Sequence, residues 1–280
     1  MARKEQTQWY RVDNAGVLYS ALKKEKYAPV YRFSAVMKET VDPDALQRAV
    51  DRTMPRFPCF RVRIRKGVFW CYFERNEKPG PFVRRDIANP CQPIREKWDN
   101  DWLIRFFYYE KRISFEAFHA ISDGAGALTF FRTLLAEYLR ELGVDIPLDP
   151  TILDVSEPPK PQELEDAYGY YAGKKVLRGS WYKTAYSNVS PAEPFYTLNV
   201  TMGLMSVQAV KQQAKAHGAS LTEYLTAVLL LSLMEKQAAE HRRHQKPVAL
   251  AIPINLRSWF PSETLRNFIL TARPCIDPAL

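Results

Sequence analysis

The segment Ile113-Ser114-Phe115-Glu116-Ala117-Phe118-His119-Ala120-Ile121-Ser122-Asp123-Gly124 changes hydrophobic period at its end. Ile113, Phe115, Ala117 and His119 occupy alternate positions, so they share one face of a strand. After Gly124 the apolar side chains follow helical spacing, and Gly143 ends that run. The segment therefore predicts a strand, a tight turn and an amphipathic helix, with His119 at the end of the inward-facing row.

Similar patterns precede this segment. Residues 31–37 alternate and predict a half-buried strand. Asp42 and Pro43 have the residue types of an N-cap and a first helical position, so a helix follows. Runs 61–65 and 68–74 flank Lys66-Gly67, which predicts a hairpin. Run 103–109 forms a similar pair with 113–119.

The second half of the chain predicts fewer elements. Residues 145–194 lose periodicity and gather prolines and tyrosines, which is typical of a crossover linker. Residues 196–202 alternate and predict a strand. Ser206 predicts the N-cap of a helix that ends near Gly218, and Ser220 with Glu223 has the spacing of a capping box for a helix to about Gln237. Residues 248–254 and 268–276 predict two further strands.

Strands followed by helices in both halves favour an α/β protein of two related subdomains, with 1–144 as the first and 195–280 as a partial second. Strands joined by short turns near Gly67 and Lys111 favour mixed or largely antiparallel sheets over a doubly wound parallel sheet. The composition, 46% hydrophobic and 25% charged, excludes a disordered chain.

The formal net charge of +9 favours a polyanionic partner. Nucleic acid, an anionic membrane and a phosphate-bearing coenzyme all fit that description. Lys and Arg are spread along the chain, with short clusters in 61–66 and 241–244, which favours solvated faces over a nucleic-acid groove. We therefore expect no nucleic-acid partner.

Cysteine usage and hydropathy bear on location. The cysteines form no CxxC pair, which excludes a zinc knuckle and a small disulfide scaffold and favours a reduced, cytoplasmic setting. The most apolar run, 225–234, is too short to span a bilayer. His241 and His244 have no nearby carboxylate or cysteine that would complete a metal set. We expect no metal, no bound cofactor and no membrane insertion.

His119 and Asp123 are the candidate chemical groups. An imidazole with an ordinary pKa of about 6.5 serves as a base near neutral pH. Asp123 either orients that base or pins the turn through an arginine, while Gly124 and Gly126 permit close backbone approach. The alternative interpretation is that His119 is a satisfied core histidine and Asp123 only a helix N-cap. The strand-to-helix junction favours function, because rigid elements hold catalytic groups well.

The motif His119-Ala120-Ile121-Ser122-Asp123-Gly124 resembles the HxxxDG motif of the superfamily of chloramphenicol acetyltransferase, plant acyltransferases and peptide-synthetase condensation domains. The bacterial alcohol acetyltransferase-like branch is the more similar one. Three other segments support the resemblance over nearly the whole chain: 13–16 (Asp-Asn-Ala-Gly), 55–58 (Pro-Arg-Phe-Pro), and 253–257 (Pro-Ile-Asn-Leu-Arg) running into 264–268.

This resemblance implies a V-shaped pair of α/β subdomains with the histidine in a tunnel between them. It implies that His119 is the general base, that Asp123 makes a structural salt bridge with an arginine, and that Gly124 supports the turn. Arg32 is the expected partner of Asp123. Asn255, Arg257 and Asn267 either line the tunnel or make loop hydrogen bonds.

Two functions follow from these expectations. The first is an O-acyltransferase that uses an acyl thioester of coenzyme A or of a carrier protein, with an alcohol or amine acceptor. The second is a noncatalytic or fragmentary binding module of the same fold. Members of the family are longer than this chain, so the resemblance implies an incomplete second subdomain that a second chain or a homo-oligomer completes.

Overall fold

The computed structural model describes residues 9–23, 29–67, 70–87, 89–95, 98–147, 149–171, 184–188, 193, 197–240 and 245–277. The chain divides into two compact units, unit 1 (Met1–Ala172 with Asn255–Ile269) and unit 2 (Gly173–Ile254 with Leu270–Leu280). This division differs from the expected boundaries at 144 and 194. Residues 255–269 pack with the first half of the chain because their side chains bind there, as the site below illustrates.

Unit 1 contains two sheets. The strands are β1 (Trp9–Arg11), β2 (Val30–Val36), β3 (Val62–Lys66), β4 (Cys71–Arg75), β5 (Val83–Arg85), β6 (Ile104–Tyr109) and β7 (Arg112–Phe118). One sheet has the order β2-β7-β6-β5, and the other has the order β1-β4-β3. Among the described strands of unit 1, only β5 and β6 pair in parallel, whereas β2, β7 and β6 are antiparallel neighbours. The expected mixed α/β architecture is confirmed.

The helices of unit 1 are α1 (Asn14–Leu22), α2 (Pro43–Thr53), α3 (Gly124–Glu141) and the short α4 (Tyr168–Tyr171), with 3-10 turns at Met54–Arg56, Pro161–Leu164 and Leu256–Ser258. The predicted cap of α2 is confirmed, because the carboxylate of Asp42 accepts from the backbone N–H of Asp44 and Ala45. The helix predicted after the HxxxDG motif is confirmed as α3. Helix α1 has no counterpart in the sequence predictions.

Phenylalanine side chains form the centre of the unit 1 core. The register aligns Phe33 with Phe115 and Phe115 with Phe106 across β2, β7 and β6. Phe130 of α3 packs on that row, with its ring centroid 4.9 Å from that of Phe115 and 4.7 Å from that of Phe60. A buried phenylalanine contributes about 1.5–3 kcal/mol through its removal from water. This packing fixes α3 against β7, and so fixes the turn between them.

Unit 2 contains α5 (Val207–Ala216), α6 (Leu221–Ala239) and the short strands β8 (Val248–Ala249), β9 (Ile252–Asn255), β10 (Ile269–Ala272) and β11 (Cys275–Ile276). Ser206 caps α5, and Ser220 with Glu223 forms the predicted capping box of α6. Both helix predictions are confirmed. The strands form two pairs, β8 with β11 and β9 with β10.

Three strand predictions were wrong. Residues 197–202 have no strand structure, and Leu198 and Val200 are exposed; Tyr196 lies outside the described residues. No described strand pairs with this segment, and an alternating pattern alone does not specify the neighbouring strand that a sheet requires. Residues 248–254 form β8 and β9 and not one buried strand, and only Val248 among them is fully buried. Residues 268–276 likewise form β10 and β11 and not one strand. In both runs the two halves pair with different strands.

Part of the expected linker is anchored to unit 1. Glu163 is buried and forms an ion pair with Arg56, whose Nη2 donates to Oε1 of Glu163 at 2.7 Å. Arg56 lies in the segment 55–58 that carries the family resemblance. A buried ion pair with both partners satisfied holds the chain in one place. Among the described helices, none is both long and apolar enough to cross a bilayer.

Candidate active site

His119 directly follows β7 and lies between two tyrosine rings. Its backbone N–H donates to the carbonyl of Pro29 at 2.8 Å. The ring of Tyr19, from α1, stacks on the imidazole with a centroid distance of 4.0 Å and an interplanar angle of 19°. Tyr31, from β2, presents its edge at 4.9 Å and donates its hydroxyl to the carbonyl of Ser122. The two rings orient the imidazole and exclude water from part of its surface.

This enclosure changes the acidity of the imidazole. Burial lowers the pKa of His119 below its ordinary value of 6.5, although its own backbone carbonyl, Asn267 and Asp123 act in the opposite direction. Its Nδ1 is buried and has no hydrogen-bond partner among the described residues. The imidazole is therefore neutral at pH 7, which is the state that a general base requires.

Asp123 has two structural roles. Its Oδ1 accepts from the backbone N–H of Ala125 and of Gly126, both at 3.1 Å, which caps α3. Its Oδ2 accepts from Nη1 of Arg257 at 2.7 Å and from the backbone N–H of Phe268 at 2.8 Å. The two interpretations of Asp123 as an N-cap and as the partner of an arginine therefore hold together. The carboxylate pins the turn after His119 and makes no hydrogen bond to the imidazole.

The expectation that Arg32 pairs with Asp123 was wrong. Arg32 binds Asp86 and Glu116, with nitrogen–oxygen distances of 2.7 Å to each. Arg32 lies opposite Glu116 in the register of β2 and β7. Side chains of a strand alternate between its faces, so Arg32 projects to the face opposite Tyr31 and its neighbour His119.

Arg257 uses its whole guanidinium to hold the segment 257–268. Besides Asp123, it donates from Nε and Nη2 to the carbonyl of Thr264 and from Nη2 to the carbonyl of Arg266. The planar fork of arginine suits several fixed acceptors at once. This arrangement brings a segment more than a hundred positions later onto the HxxxDG turn.

Asn255 and Asn267 occupy different environments. Asn255 is exposed, and its Oδ1 accepts from the backbone N–H and Nη1 of Arg257. Asn267 is buried, and its Nδ2 donates to the carbonyl of Ala120 at 3.1 Å. Its Oδ1 is buried without a partner among the described residues, as is Nδ1 of His119. The structure thus brings His119, Asp123, Arg257 and Asn267 together, with Asn255 at the margin.

Of the two glycines expected to permit close backbone approach, Gly126 is the one that another chain segment contacts, and Gly124 is not. A Cβ on Gly126 would collide with the carbonyl of Leu265, whereas a Cβ on Gly124 would meet nothing within 4 Å. Gly16 of α1 is equally confined, because a Cβ there would lie 2.7 Å from the carbonyl oxygen of Ala120. Both tight contacts involve segments that flank the candidate base. Small residues at these positions let three chain segments meet.

Comparisons with known proteins agree with this architecture. The alcohol acetyltransferase family matches residues 173–267. Polyketide synthase associated protein 5 from Mycobacterium tuberculosis is similar with a TM-score of 0.63 and 16% identity, over 100% of this chain and 69% of that chain. The starter condensation domain of rhizomide synthetase RzmA, as a double mutant in complex with C8-CoA, has a TM-score of 0.58 and 11% identity. This similarity covers 96% of this chain and 66% of that chain.

The chain has a condensation-domain fold.

The predicted resemblance to the superfamily of chloramphenicol acetyltransferase and the condensation domains is confirmed. The tallysomycin biosynthesis protein TlmII has the same fold, with a TM-score of 0.57 and 13% identity over 97% of this chain and 68% of that chain. No curated protein sequence matches the chain. The chain spans about two thirds of each of these structures.

Within this condensation-domain fold, sequence reasoning missed both tyrosines that enclose His119 and the clamp between Asp13 and Arg266. Asp13 caps α1 by accepting from Gly16, and its Oδ2 lies 3.3 Å from Nη2 of Arg266. Burial raises the pKa of Asp13 to about 6, although Arg266 and the Gly16 amide act in the opposite direction. The alternation of residues 31–37 placed Tyr31 on the inward face, so that signal was present for one of the two rings.

No group of three or more candidate metal ligands exists in the part of the chain that the structure describes. His241 and His244, weighed above as a metal pair, lie outside the described residues. Asp123 and the clamp residues are occupied by arginine and backbone donors.

Proposed function

We propose that the chain is an acyl thioester-dependent O-acyltransferase in which His119 is the general base. One observation carries this proposal: a half-buried imidazole, stacked on Tyr19, whose pKa burial lowers below 6.5. Such a group is unprotonated at neutral pH and has a fixed orientation. The alcohol acetyltransferase match and the acyl-transfer-related fold support the same reaction class.

The reaction begins with the acceptor hydroxyl. A ring nitrogen of His119 removes the proton while the hydroxyl oxygen attacks the thioester carbonyl carbon. The tetrahedral intermediate then collapses, the carbon–sulfur bond breaks, and the thiolate takes the proton from the imidazolium. The products are an ester and a free thiol, so atoms and charges balance. An amine acceptor follows the same sequence and yields an amide.

The neutral imidazole has one N–H and one lone pair, and its surroundings decide between the two tautomers. Nδ1 of His119 and Oδ1 of Asn267 are both buried without a described partner. In the proposed mechanism Nδ1 keeps its proton on that buried side, which leaves the lone pair of Nε2 for the acceptor. Asn267 is then a positioning residue, as are Asp123 and Arg257.

The acyl donor is proposed as a thioester of coenzyme A or of a carrier protein. The rhizomide synthetase domain is a structure in complex with C8-CoA, and the net charge of +9 suits a phosphate-bearing donor. Asn255 is exposed beside Arg257 and is the remaining candidate for a substrate contact. The cytoplasmic setting inferred from cysteine spacing fits a thioester co-substrate.

The test is release of free thiol from acetyl-CoA with a panel of alcohols. His119→Ala should lower the rate by about a hundred- to ten-thousandfold, since that is the usual contribution of a general base. His217→Ala is the matched control, because His217 is an exposed residue at the end of α5. Thiol release that is unchanged by His119→Ala would reject the proposed base.

A second candidate is a noncatalytic or fragmentary module that requires another polypeptide. Unit 2 favours it, because large apolar side chains are exposed there on α6 and in 198–205. Exposed apolar surface of this kind marks an interaction site. A monodisperse monomer by light scattering, with unaided thiol release, would exclude this candidate.

A further inference from the structure

A cavity of about 1150 Å³ lies in unit 1 on the side of α1 that faces away from His119. Asn14, Val17 and Ala21 of α1 line it, at positions that share one helical face. Tyr19, which stacks on His119, lies about 140° around the helix from Asn14. Helix α1 therefore stands between the imidazole and this cavity. No step of the proposed reaction uses it.

The walls of the cavity combine an apolar floor with an aromatic rim. Buried side chains, among them Ile94 and Phe118, form the floor. Trp9, Trp70 and Trp98 line the rim with 66%, 66% and 75% of their surface exposed. Three tryptophans exposed around one opening are unusual on a folded surface and mark a binding site for an apolar group.

The cavity also has unpaired positive charge. Arg11, Lys66 and Arg95 line it, and none of their side chains forms an ion pair with a described residue. The lining contains one carboxylate, that of Asp101, and it is already bound by Lys78 at 2.6 Å. The hydroxyl of Ser20, also in the lining, is buried without a described partner. An anionic group would satisfy both the cations and this hydroxyl.

We infer that this cavity binds an amphipathic anion, namely a carboxylate on a long apolar chain. The apolar chain would lie on the floor between the tryptophans, and the carboxylate would lie near Lys66 and Arg95. The volume is of the order that one small ligand occupies, since ligand pockets commonly measure about 300–1,000 Å³. The site is separate from His119, so it does not depend on the proposed acyl transfer.

Quenching of tryptophan fluorescence tests this inference on the full chain. The probe is 11-bromoundecanoate, whose bromine quenches tryptophans that it contacts, and its methyl ester is the uncharged counterpart. We expect saturable quenching by the carboxylate and about tenfold weaker binding of the ester. The double variant Trp70→Phe/Trp98→Phe should lose most of the quenching. Trp259→Phe should keep it, because Trp259 is 73% exposed outside the cavity.

Charge reversal provides the second arm. Lys66→Glu/Arg95→Glu should weaken carboxylate binding by about tenfold or more, because two attractive charges become repulsive. Lys211→Glu/Lys215→Glu on α5 makes the same change in net charge and should leave the affinity within about twofold. Circular dichroism and the unfolding midpoint verify that each variant folds. Equal affinities for these two variants, or for carboxylate and ester, would overturn the inference.

The location is tested with His119→Ala, which should retain the affinity because α1 separates the imidazole from the cavity. Loss of binding in that variant would place the probe at the histidine and would overturn the inference of a separate binding site. Quenching that occurs only with brominated lipids in anionic vesicles would assign the tryptophans to a membrane surface and would also overturn it. Failure of the thiol-release assay has no bearing on any of these outcomes.

Discussion

At the scale of single residues, burial sets the acidity of two groups near the candidate site in opposite directions. Enclosure by aromatic rings disfavours the imidazolium of His119, so its pKa is lowered. The same effect disfavours the carboxylate of Asp13, so its pKa is raised to about 6 even beside Arg266. In neither group is a charged neighbour the largest cause of the pKa shift. Both shifts therefore depend on the packing that excludes water.

Removal of the stacked ring should move the pKa of the base. Tyr19→Ala admits water to one face of His119, and burial is the largest cause of its lowered pKa, so the pKa should rise toward 6.5. The acid limb of the pH–rate profile should move to higher pH, and an NMR titration of the His119 ring should move with it. Leu18→Ala, on the exposed side of α1, is the control. A limb that stays in place would show that the ring does not desolvate the base.

Asp13 should make stability fall as the pH rises. The folded state holds its proton up to about pH 6, whereas the unfolded state loses it near 3.8, so the folded state binds more protons between these values. The stabilisation is complete below pH 3.8 and lost above about 6, and it amounts to about 2–3 kcal/mol. Asp13→Asn keeps a good N-cap and should flatten that part of the curve in urea unfolding. Asp51→Asn, an exposed control, should leave the slope unchanged.

At the scale of elements, the start of α3 is the junction of the site. The helix is capped by Asp123, packed through Phe130, and touched at Gly126 by the segment that Arg257 holds. Each interaction comes from a different part of the chain. The position of His119 depends on this junction, because the turn connects the base directly to the helix.

Two glycines at this junction should respond differently to the same substitution. Gly126→Ala forces the new methyl group against the backbone carbonyl of Leu265, which cannot easily move away. The substitution should lower the free energy of unfolding by about 2–3 kcal/mol. Gly124→Ala has open space and should change the free energy of unfolding by less than about 1 kcal/mol. Urea unfolding of the pair provides the comparison. Equal losses would mean that the close approach at Gly126 is not a constraint.

At the scale of the whole molecule, the two units differ in how well they cover their apolar surface. Unit 1 has a large continuous core around its phenylalanines. The described core of unit 2 consists of Tyr186, Leu230 and Val248 with a few partly buried neighbours. On α6, Leu225, Val228 and Leu229 remain largely exposed. This contrast is the physical basis of the second candidate function.

The exposed face of α6 should drive association. Leu225 and Leu229 are one helical turn apart, so they form one apolar strip. Exposure of this strip to water is unfavourable, and association would bury it. We expect a mass above that of one chain in light scattering, and Leu225→Lys/Leu229→Lys should lower it. Gln208→Lys/Gln212→Lys on α5 adds the same charge at exposed polar positions and should not. A monomeric chain at high concentration, before any substitution, contradicts this expectation.

Local patterns predicted much of the fold. The alternation in 31–37 and 113–119 and the caps at Asp42, Ser206 and Ser220 correspond to strands and helices at nearly the predicted bounds. These signals succeed because side-chain period and capping act within a few residues. Residues 197–202 show the limit, because a strand also requires a hydrogen-bonded neighbour that its own sequence does not specify.

The sequence by itself determined that His119 stands at the end of a strand, before a capped helix, in a chain that resembles an acyltransferase superfamily. Only the tertiary structure decided what surrounds that histidine. Tyr19 lies in α1, a helix that the sequence pattern did not predict. The partner of Asp123 is Arg257, whereas the sequence predicted Arg32. The reason is physical: burial and ion pairing depend on distances between segments far apart in the chain, and these distances exist only after the sheets and helices have packed.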